Sequence, residues 1–564
     1  MKLCQLKVEN FRGITNLELE FGDTTVLIGE NNIGKTAILD AIRYALREVH
    51  PRRGYAFNTY DFHLSDTASD PRMAPPISIQ LTFREDPSDK RSQKLLERLN
   101  RAKILQVDDN GRSTVILKVG AYFDPVSQDY IQNWEFRNLN GTAFPNVADS
   151  VLSTFQNEVS YYYLAALRDA TKHFDAKGTF WRPFLKESQL SPEKRTEIEG
   201  KLAEVNDLII SSHGSFAQVV ERLKEIQKVI SMAGGDDLVS VDAVPARIFD
   251  ILARAQVNLN SDTGAKIPVG RHGEGTQSLA VLTLFNAFLQ AWHPGEPIVA
   301  LEEPEAHLHP NAVRSLWHLI ERIPGQKIIS THSGDLLSEV PSDVVIRLYK
   351  QDGAVVASRL KDVSLNPDDL RKFNFHIRHA RGELLFARCW ILGEGETEAI
   401  LIREAARIMQ KDLEQAGVRL VTYQTGISLD SCLKIANGMG INWIVLADND
   451  DQGAKNRQTV LNHLNGRLEQ EALFKMPEKN IEQHLCMNGF SSTYYGLLGE
   501  QPRQRITAQP QSPDYAIQIA DALPNRLKTH AAQEVAVAMC DPSHSVPQLF
   551  QDVIEAALNL TEVP

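Results

Sequence analysis

The chain has 564 residues, enough for about three or four domains. Hydrophobic residues make up 43% and charged residues 23%, which is typical of a globular protein and excludes a disordered one. The net charge of -12 offers no general attraction to a polyanion, so any nucleic acid must be held by local basic groups or metal ions.

The cysteines and the apolar segments exclude further classes. The five cysteines lie far apart without a C-x-x-C pair, which argues against a zinc ribbon or a disulfide framework and fits a reducing cytosol. The longest apolar stretch, 279–292, is shorter than the ~20 residues of a membrane span. We therefore expect a cytoplasmic enzyme that makes no membrane contact.

The first part of the chain reads as mixed α/β, with strands and one early helix in alternation. Apolar and polar residues alternate at 2–11 and 14–21, a short apolar run covers 25–28, and 77–83, 113–122 and 130–138 also have strand character, which predicts strands at all six. A helix is predicted from Thr36 to about Glu48, and a charged helical region covers 191–232. Strands return at 297–301 and 327–330, and a separate strand–helix series begins after Pro367.

A phosphate-binding loop follows the strand 25–28. Residues 29–36 match G-x-x-x-x-G-K-[ST], and a helix comes directly after them. In such a loop the backbone of Gly29, Asn31, Asn32 and Gly34 curls around phosphate at a helix N-terminus. Lys35 then reaches the β- and γ-phosphates, and the Thr36 hydroxyl is a magnesium ligand. The pattern predicts ATP binding.

Two later strands end in polar residues that suit ATP hydrolysis. The strand 298–301 is followed by Glu302 and Glu303, which can hold magnesium through water and orient the attacking water. The strand 328–331 ends at His332. Adjacent acids at a strand end are often only a solvated loop, and a histidine there is often loop-facing; the phosphate loop is what favours the functional interpretation of both.

Together these segments resemble the ATP-binding-cassette ATPases of the SMC and DNA-repair type over about 1–363. The resemblance implies Glu302 as the magnesium carboxylate, Glu303 as the catalytic base and His332 as the switch histidine. It places the signature at 273–278, before a helix 279–290, with Gly275 and Ser278 contacting nucleotide held by a second subunit. That segment departs from the usual L-S-G-G-Q. Residues 305–310 fall where the family's dimer-contacting loop lies.

A second group of acids lies in the C-terminal part. Glu394 ends the strand 389–393, and Glu398 follows four residues later on a helix, so both can face one point above a sheet. Asp448 and Asp450 follow the apolar strand 442–447. Clustered carboxylates repel one another unless cations lie between them, and four oxygen ligands suit magnesium or manganese. Each motif alone is more often a solvated loop.

These two motifs resemble the Toprim domain, and an SMC-like ATPase followed by Toprim is the arrangement of the OLD (overcoming lysogenization defect) nucleases. The resemblance implies Glu394 as general acid/base and metal ligand, and Asp448, Asp450 and Glu398 as ligands of two cations, Mg²⁺ or Mn²⁺. It also implies Glu482 as a further ligand and Lys528 as the group that stabilises the scissile phosphate.

The expected architecture is α/β: a split ABC-type ATPase head with an inserted helical element, followed by a Rossmann-like Toprim domain. We expect an ATPase N-terminal lobe at 1–166, a helical dimerisation insertion at 167–256, an ATPase C-terminal lobe at 257–370 and a Toprim nuclease domain at 371–564.

The leading functional hypothesis is a metal-dependent DNA endonuclease controlled by ATP. The family further implies a homodimer or higher oligomer, antiphage defence, and in some cases a neighbouring helicase or retron reverse transcriptase. DNA docking is assigned to a basic stretch whose members are Arg371, Lys372, Arg378, Arg381 and Arg388. The alternative is an ATP-switched DNA clamp without nuclease activity. A topoisomerase needs a tyrosine nucleophile, for which Tyr494 and Tyr495 are the candidates.

Overall fold

The computed structural model describes most of the chain. The described residues are 1–51, 54–66, 70–86, 92–165, 191–212, 258–260, 266–292, 297–380, 382–423, 427–510 and 512–561. Within these ranges, the helices are all too short or too polar to cross a membrane.

The strands form three main sheets and one small hairpin. In chain order they are β1 Lys2–Phe11, β2 Ile14–Glu20, β3 Thr24–Gly29, β4 Ile77–Arg84, β5 Gln106–Val107, β6 Ser113–Asp124, β7 Asp129–Arg137, β8 Tyr161–Ala165, β9 Asn258–Asn260, β10 Lys266–Pro268, β11 Ile298–Glu302, β12 Gln326–Ser330, β13 Val345–Gln351, β14 Ala354–Arg359, β15 Cys389–Gly393, β16 Val418–Thr422, β17 Asn442–Ala447 and β18 Leu473–Lys475.

The α-helices are distributed between the sheets and become dense after β18. In chain order they are α1 Lys35–Arg43, α2 Ser92–Arg101, α3 Asp149–Glu158, α4 Pro192–Ser212, α5 Glu274–Trp292, α6 Pro310–Glu321, α7 Gly334–Glu339, α8 Pro367–Ala380, α9 Glu396–Ile408, α10 Leu429–Met439, α11 Asp451–Leu461, α12 Glu469–Ala472, α13 Ile481–Leu485, α14 Ser491–Leu497, α15 Glu500–Gln504, α16 Pro513–Ala522, α17 Lys528–Ala538 and α18 Gln548–Asn559.

The sequence predicts an ATPase in the N-terminal part of the chain and a TOPRIM domain in the C-terminal part, here called the ATPase part and the TOPRIM part. Two sheets build the ATPase part. The first is antiparallel, in the order β2-β1-β4-β6-β5, and β7 pairs with β6. The second has the order β14-β13-β3-β12-β11-β8, in which all neighbours except the β13/β14 pair run parallel. Parallel strands place their carboxyl ends at one edge, so the phosphate loop after β3 and the acids after β11 share that edge.

The TOPRIM part is a parallel sheet in the order β16-β15-β17-β18. Successive side chains of β15 enter different cores: Ile391 packs with α9 and the later helices, while Trp390 and Leu392 join a core shared with the ATPase part. This burial of both faces explains the nearly continuous apolar runs of these strands.

The described elements agree with the predicted α/β class and correct two local expectations. The helix expected at 279–290 is α5 and begins at Glu274, so the predicted signature 273–278 lies largely inside a helix. Strand β8 was not predicted from the sequence. Most of the proposed insertion 167–256 lies outside the described residues, within which only α4 belongs to it.

Candidate active sites

The phosphate loop has the backbone conformation that its glycines require. Strand β3 ends at Gly29, where φ is 147°, and Gly34 has a φ of 106° directly before α1. A Cβ on Gly29 would lie 2.5 Å from the Leu348 carbonyl oxygen. Asn31 and Asn32 are exposed on the outer turn, and Asn32 also has a positive φ, 62°. Side chains larger than hydrogen at the two glycines would therefore distort the loop.

Lys35 points back into this loop. Its ammonium donates hydrogen bonds of 2.7 Å to the carbonyl oxygens of Gly29 and Glu30, and only 6% of the residue is exposed. Burial lowers the pKa of Lys35 to about 8, although nearby carboxylates, Glu303 first, oppose that shift. The charge is thus held where the phosphates of a nucleotide would enter.

Glu302 joins the phosphate loop to the end of β11. One of its carboxylate oxygens accepts a short hydrogen bond from the Thr36 hydroxyl, and the other accepts one from the Tyr163 hydroxyl on β8. The predicted magnesium pair of Thr36 and Glu302 is therefore brought into contact. Tyr163 was missed in the sequence because no local motif connects β8 to β11.

The second acid and the predicted switch histidine also meet. His332 Nε2 lies 3.6 Å from Glu303 Oε1, and Glu303 adopts a left-handed backbone with a φ of 44°. Burial and the Lys35 charge lower the pKa of His332, which favours the neutral imidazole. Such a strained backbone is common at functional positions.

Glu305 forms buried hydrogen bonds to Thr331 and His332, the segment that contains the predicted switch histidine. Its Oε1 accepts hydrogen bonds from the Thr331 hydroxyl at 2.5 Å and from the backbone N–H of His332 at 3.0 Å. Burial raises the pKa of Glu305. The sequence resemblance assigned this residue to a dimer-contacting loop, yet its carboxylate faces the interior of its own chain.

The predicted signature residues are less accessible than expected. Ser278 is 1% exposed within α5 and faces the protein interior. Gly275 is half-buried, and a Cβ added there would lie 3.2 Å from the His307 carbonyl oxygen. Helix α5 begins at Glu274 and not at 279 as predicted. Ser278 therefore lies in its second turn, on the side that faces the protein interior.

The C-terminal acids gather at the carboxyl edge of the TOPRIM sheet. Strands β15 and β17 pair in parallel register, so Glu394 and Asp448 leave the sheet side by side. Glu398 returns from α9 and accepts a 2.9 Å hydrogen bond from the Gly395 N–H. Asp450 caps α11 by accepting a 2.8 Å hydrogen bond from the Gly453 N–H.

The electrostatics show that these acids share one pocket. Burial raises the pKa of Asp448 to about 8, and Glu398, Glu394, Glu482 and Asp450 add to the shift, in that order. Burial likewise raises the pKa of Glu398 to about 7, with Glu394 and Glu482 contributing. Oδ1 of Asp448 is buried without a hydrogen-bond donor. Hard oxygen donors under mutual repulsion fit a divalent cation.

Lys528 completes the group from a distant helix. Its ammonium at the start of α17 lies 3.0 Å from Glu482 Oε1, and Glu482 itself is 3% exposed. Within the described ranges, no three acidic, histidine or cysteine side chains are arranged closely enough to hold a metal ion as they stand. Binding a cation would thus require these side chains to turn, Lys528 included.

The two candidate tyrosine nucleophiles are buried or packed against other side chains. Tyr494 is completely buried, and burial raises the pKa of its hydroxyl well above the usual value. Tyr495 stacks on Tyr515 with ring centroids 6.3 Å apart. Neither lies exposed beside the acids, so the arrangement gives no support to a topoisomerase.

The basic stretch assigned to DNA docking is largely paired with acids. Arg371 and Lys372 both contact Asp368, at 2.6 and 2.9 Å. Arg388 forms an ion pair with Glu30 of the phosphate loop. Arg381 and the side chain of Arg378 lie outside the described residues. Three of the five cations therefore share two carboxylates, which weakens the predicted docking surface.

With both sites described, comparisons with known proteins become informative. The family model of an AAA ATPase domain matches residues 1–337, more than half of the chain. The model of the overcoming lysogenization defect protein-like TOPRIM domain matches residues 385–450. The chain belongs to the AAA ATPase domain family and carries a C-terminal domain like the TOPRIM domain of the OLD proteins. The predicted family and the order of its ATPase and TOPRIM parts are thereby confirmed.

The matches to known relatives extend over most of this chain. The Escherichia coli protein named "Uncharacterized protein YbjD" is 28% identical over 94% of this chain and 97% of its own length. Endonuclease GajA of Bacillus cereus is 23% identical over 82% of this chain and 77% of its own length. The OLD nuclease of Thermus scotoductus is 25% identical over 79% of this chain and 82% of its own length. A solved SMC head bound to the C-winged helix domain of ScpA aligns with 64% of this chain and 98% of its own, at 16% identity and a TM-score of 0.35.

Proposed function

We propose that this protein is a DNA endonuclease that requires divalent cations and is controlled by ATP. The observation that carries the proposal is the buried pocket where burial, together with the charges of Glu394 and Glu482, raises the pKa values of Asp448 and Glu398. A lysine, Lys528, enters the same pocket. The names of the relatives GajA and OLD nuclease support the same class of activity.

The acids divide naturally into two ligand groups. We assign Glu394, Asp448 and Asp450 to one Mg²⁺ or Mn²⁺, and Glu398 and Glu482 to the other. When bound, such a pair of ions activates water and neutralises the leaving oxygen. Glu394 is also placed to accept a proton as general base. In this proposal the Lys528 ammonium leaves Glu482 and contacts the scissile phosphate, where it offsets the negative charge that develops on the phosphate.

The ATP site supplies control. Lys35 and the loop backbone bind the phosphates, while Thr36 and Glu302 hold the magnesium of the nucleotide. Glu303 orients the attacking water, and His332 contacts the γ-phosphate. A second copy of the chain completes this site through the region of Gly275, so we propose a homodimer or higher oligomer. We also propose that the domains of each chain divide after residues 166, 256 and 370.

The biological setting follows from the family and is also part of the proposal. We propose a role in antiphage defence in the cytoplasm, with DNA as substrate. A helicase or a retron reverse transcriptase from a neighbouring gene is the kind of partner that the resemblance implies.

Plasmid cleavage in Mg²⁺ or Mn²⁺ tests the proposed activity. Glu394→Ala should reduce cleavage at least ~100-fold, since it removes a proposed base and ligand together. Glu396→Ala is the matched control, because Glu396 lies two residues away but is exposed. Equal cleavage by Glu394→Ala and the unmodified protein would refute the assignment.

A DNA clamp without cleavage is the second candidate, and one observation favours it. The ion pair between Lys528 and Glu482 neutralises part of the acidic pocket without any cation. DNA retention and DNA cleavage should therefore be measured together at equal ATP and metal concentrations. Retention that depends on ATP with no cleavage in any metal would establish the clamp.

A further inference from the structure

The ATPase and TOPRIM parts are joined by a buried arginine. Arg347 lies on β13, beside the phosphate-loop strand β3, and its partner in the register is Ile28. It is 3% exposed, and its guanidinium donates hydrogen bonds of 2.7 to 2.9 Å to four carbonyl oxygens. The acceptors all lie beyond the ATPase sheet: Leu385, Ala387, Met439 and Gly440. Buried bonds of this number make a fixed joint.

A second connection, between Glu30 and Arg388, is of a different kind. Glu30 is the first residue after the loop glycine Gly29, and its Oε2 accepts a 2.6 Å hydrogen bond from Arg388 Nη2; Nε and Oε1 form the parallel contact. The two side chains are 38% and 37% exposed, and a cavity of about 310 Å³ lies beside them. A charged pair open to water is easily exchanged for other partners.

Lys35 links the predicted nucleotide site to Glu30. The Lys35 ammonium donates one 2.7 Å hydrogen bond to the Glu30 carbonyl oxygen and another to that of Gly29. Phosphate oxygens are stronger acceptors for an ammonium than carbonyl oxygens. An incoming nucleotide therefore draws Lys35 away from Glu30 and changes the conformation of the residue that holds Arg388.

Arg388 is built into the TOPRIM sheet. Its N–H donates to the Gly417 carbonyl oxygen at 2.8 Å, and its carbonyl accepts from the Asn442 N–H at 2.9 Å. Strand β15 begins at the next residue, and Glu394 directly follows its end. A hydrogen-bonded strand moves as a unit, so a displacement of Arg388 reaches Glu394 along five residues of strand.

We propose that Arg388 is a positioning residue of the nuclease site: through its ion pair with Glu30 it couples nucleotide occupancy of the phosphate loop to the placement of Glu394. Arg347 is the fixed joint about which this coupling acts. The inference rests on the proposed nuclease function and adds the route by which ATP controls it.

The test compares DNA cleavage with and without a non-hydrolysable ATP analogue. We expect the analogue to change the rate of the unmodified protein at least ~5-fold in either direction, the lower end of common allosteric coupling. In Arg388→Met and in Glu30→Gln, the cleavage rates with and without the analogue should differ by no more than ~2-fold. Analogue binding is measured in parallel, so that a loss of coupling is distinguished from a loss of affinity.

Arg457→Met is the matched control. Arg457 makes a comparable two-point ion pair with Glu469, Nη2 to Oε2 at 2.9 Å and Nε to Oε1 at 2.5 Å, and both partners lie within the TOPRIM part. It should keep the nucleotide effect of the unmodified protein. An analogue effect that persists in Arg388→Met, or is absent from the unmodified enzyme, overturns the coupling.

Hydrogen–deuterium exchange of β15 gives a second readout that does not need cleavage. The analogue should change exchange at 389–393 in the unmodified protein and in Arg457→Met, but not in Arg388→Met. Should no metal support cleavage, the proposed nuclease function fails on its own, while exchange still decides the coupling. Unchanged exchange in the unmodified protein would overturn the inference.

Discussion

Replacing Asp448 by asparagine should stabilise the metal-free protein at alkaline pH, although it should abolish cleavage. Burial and four neighbouring carboxylates raise the pKa of Asp448 from 3.8 to about 8. A carboxyl group whose pKa is higher in the folded state favours unfolding as the pH rises from the unfolded value toward the folded one. Its penalty is thus absent near pH 4 and complete above about pH 8.

The size of this effect follows from the shift. One pKa unit corresponds to ~1.4 kcal/mol, so a shift of about four units gives at most ~6 kcal/mol in the free energy of unfolding. Glu398 and Glu394 share the repulsion, so we expect Asp448→Asn alone to gain ~2–4 kcal/mol at pH 8.5. At ~2–4 °C per kcal/mol for a domain of this size, the melting temperature should rise by ~4–16 °C.

Thermal unfolding in EDTA at pH 5.5 and 8.5 measures this difference. The gain of Asp448→Asn should be larger at pH 8.5, and added Mg²⁺ should stabilise the unmodified protein more than the variant. Asp552→Asn serves as the control, since Asp552 is exposed on α18 and accepts a hydrogen bond from Gln548. A variant that melts at or below the unmodified protein at pH 8.5 would refute the shared acidic pocket.

Three further predictions concern the charged groups of the two sites. Nucleotide affinity should fall as the pH rises through about 8, because Lys35 loses its proton there; binding of a fluorescent ATP analogue measures this. Glu303→Gln should keep ATP binding but slow phosphate release ~100-fold or more, and unchanged turnover would exclude its role as base. Lys528→Met should slow cleavage ~100-fold yet bind Mn²⁺ more tightly in calorimetry, because Glu482 loses its cationic partner; weaker Mn²⁺ binding would contradict this.

The elements that carry local signals were predictable, and those that depend on distant partners were not. The apolar runs before Gly29, Glu302 and Glu394 identified β3, β11 and β15, since burial on two faces demands continuous hydrophobic residues. The predicted start of α5 was wrong by several residues, because local sequence defines helix ends poorly. Ser278 is buried by the packing of this helix. Strand β8 was missed since its tyrosines show no clear alternation.

The site residues follow the same division. Lys35, Thr36 and Glu302 were named from motifs, and their contacts in the structure are consistent with those roles. Tyr163 and Arg347 had no signal, because each acts through a partner that sequence spacing does not reveal, and Glu305 was assigned to a dimer-contacting loop and not to its contact with Thr331. Glu30 stands at a variable position of the phosphate-loop motif, so only its ion pair with Arg388 draws attention to it.

The sequence by itself determined the two chemistries, because a phosphate loop and strand-end carboxylates need particular residues at fixed local spacing. Only the tertiary structure determined which of these residues lie next to one another. Sheet register places Glu394 beside Asp448, a helix far along the chain brings Lys528 to Glu482, and Arg388 reaches the phosphate loop. These pairings depend on how the whole chain packs, and no short stretch of residues encodes them.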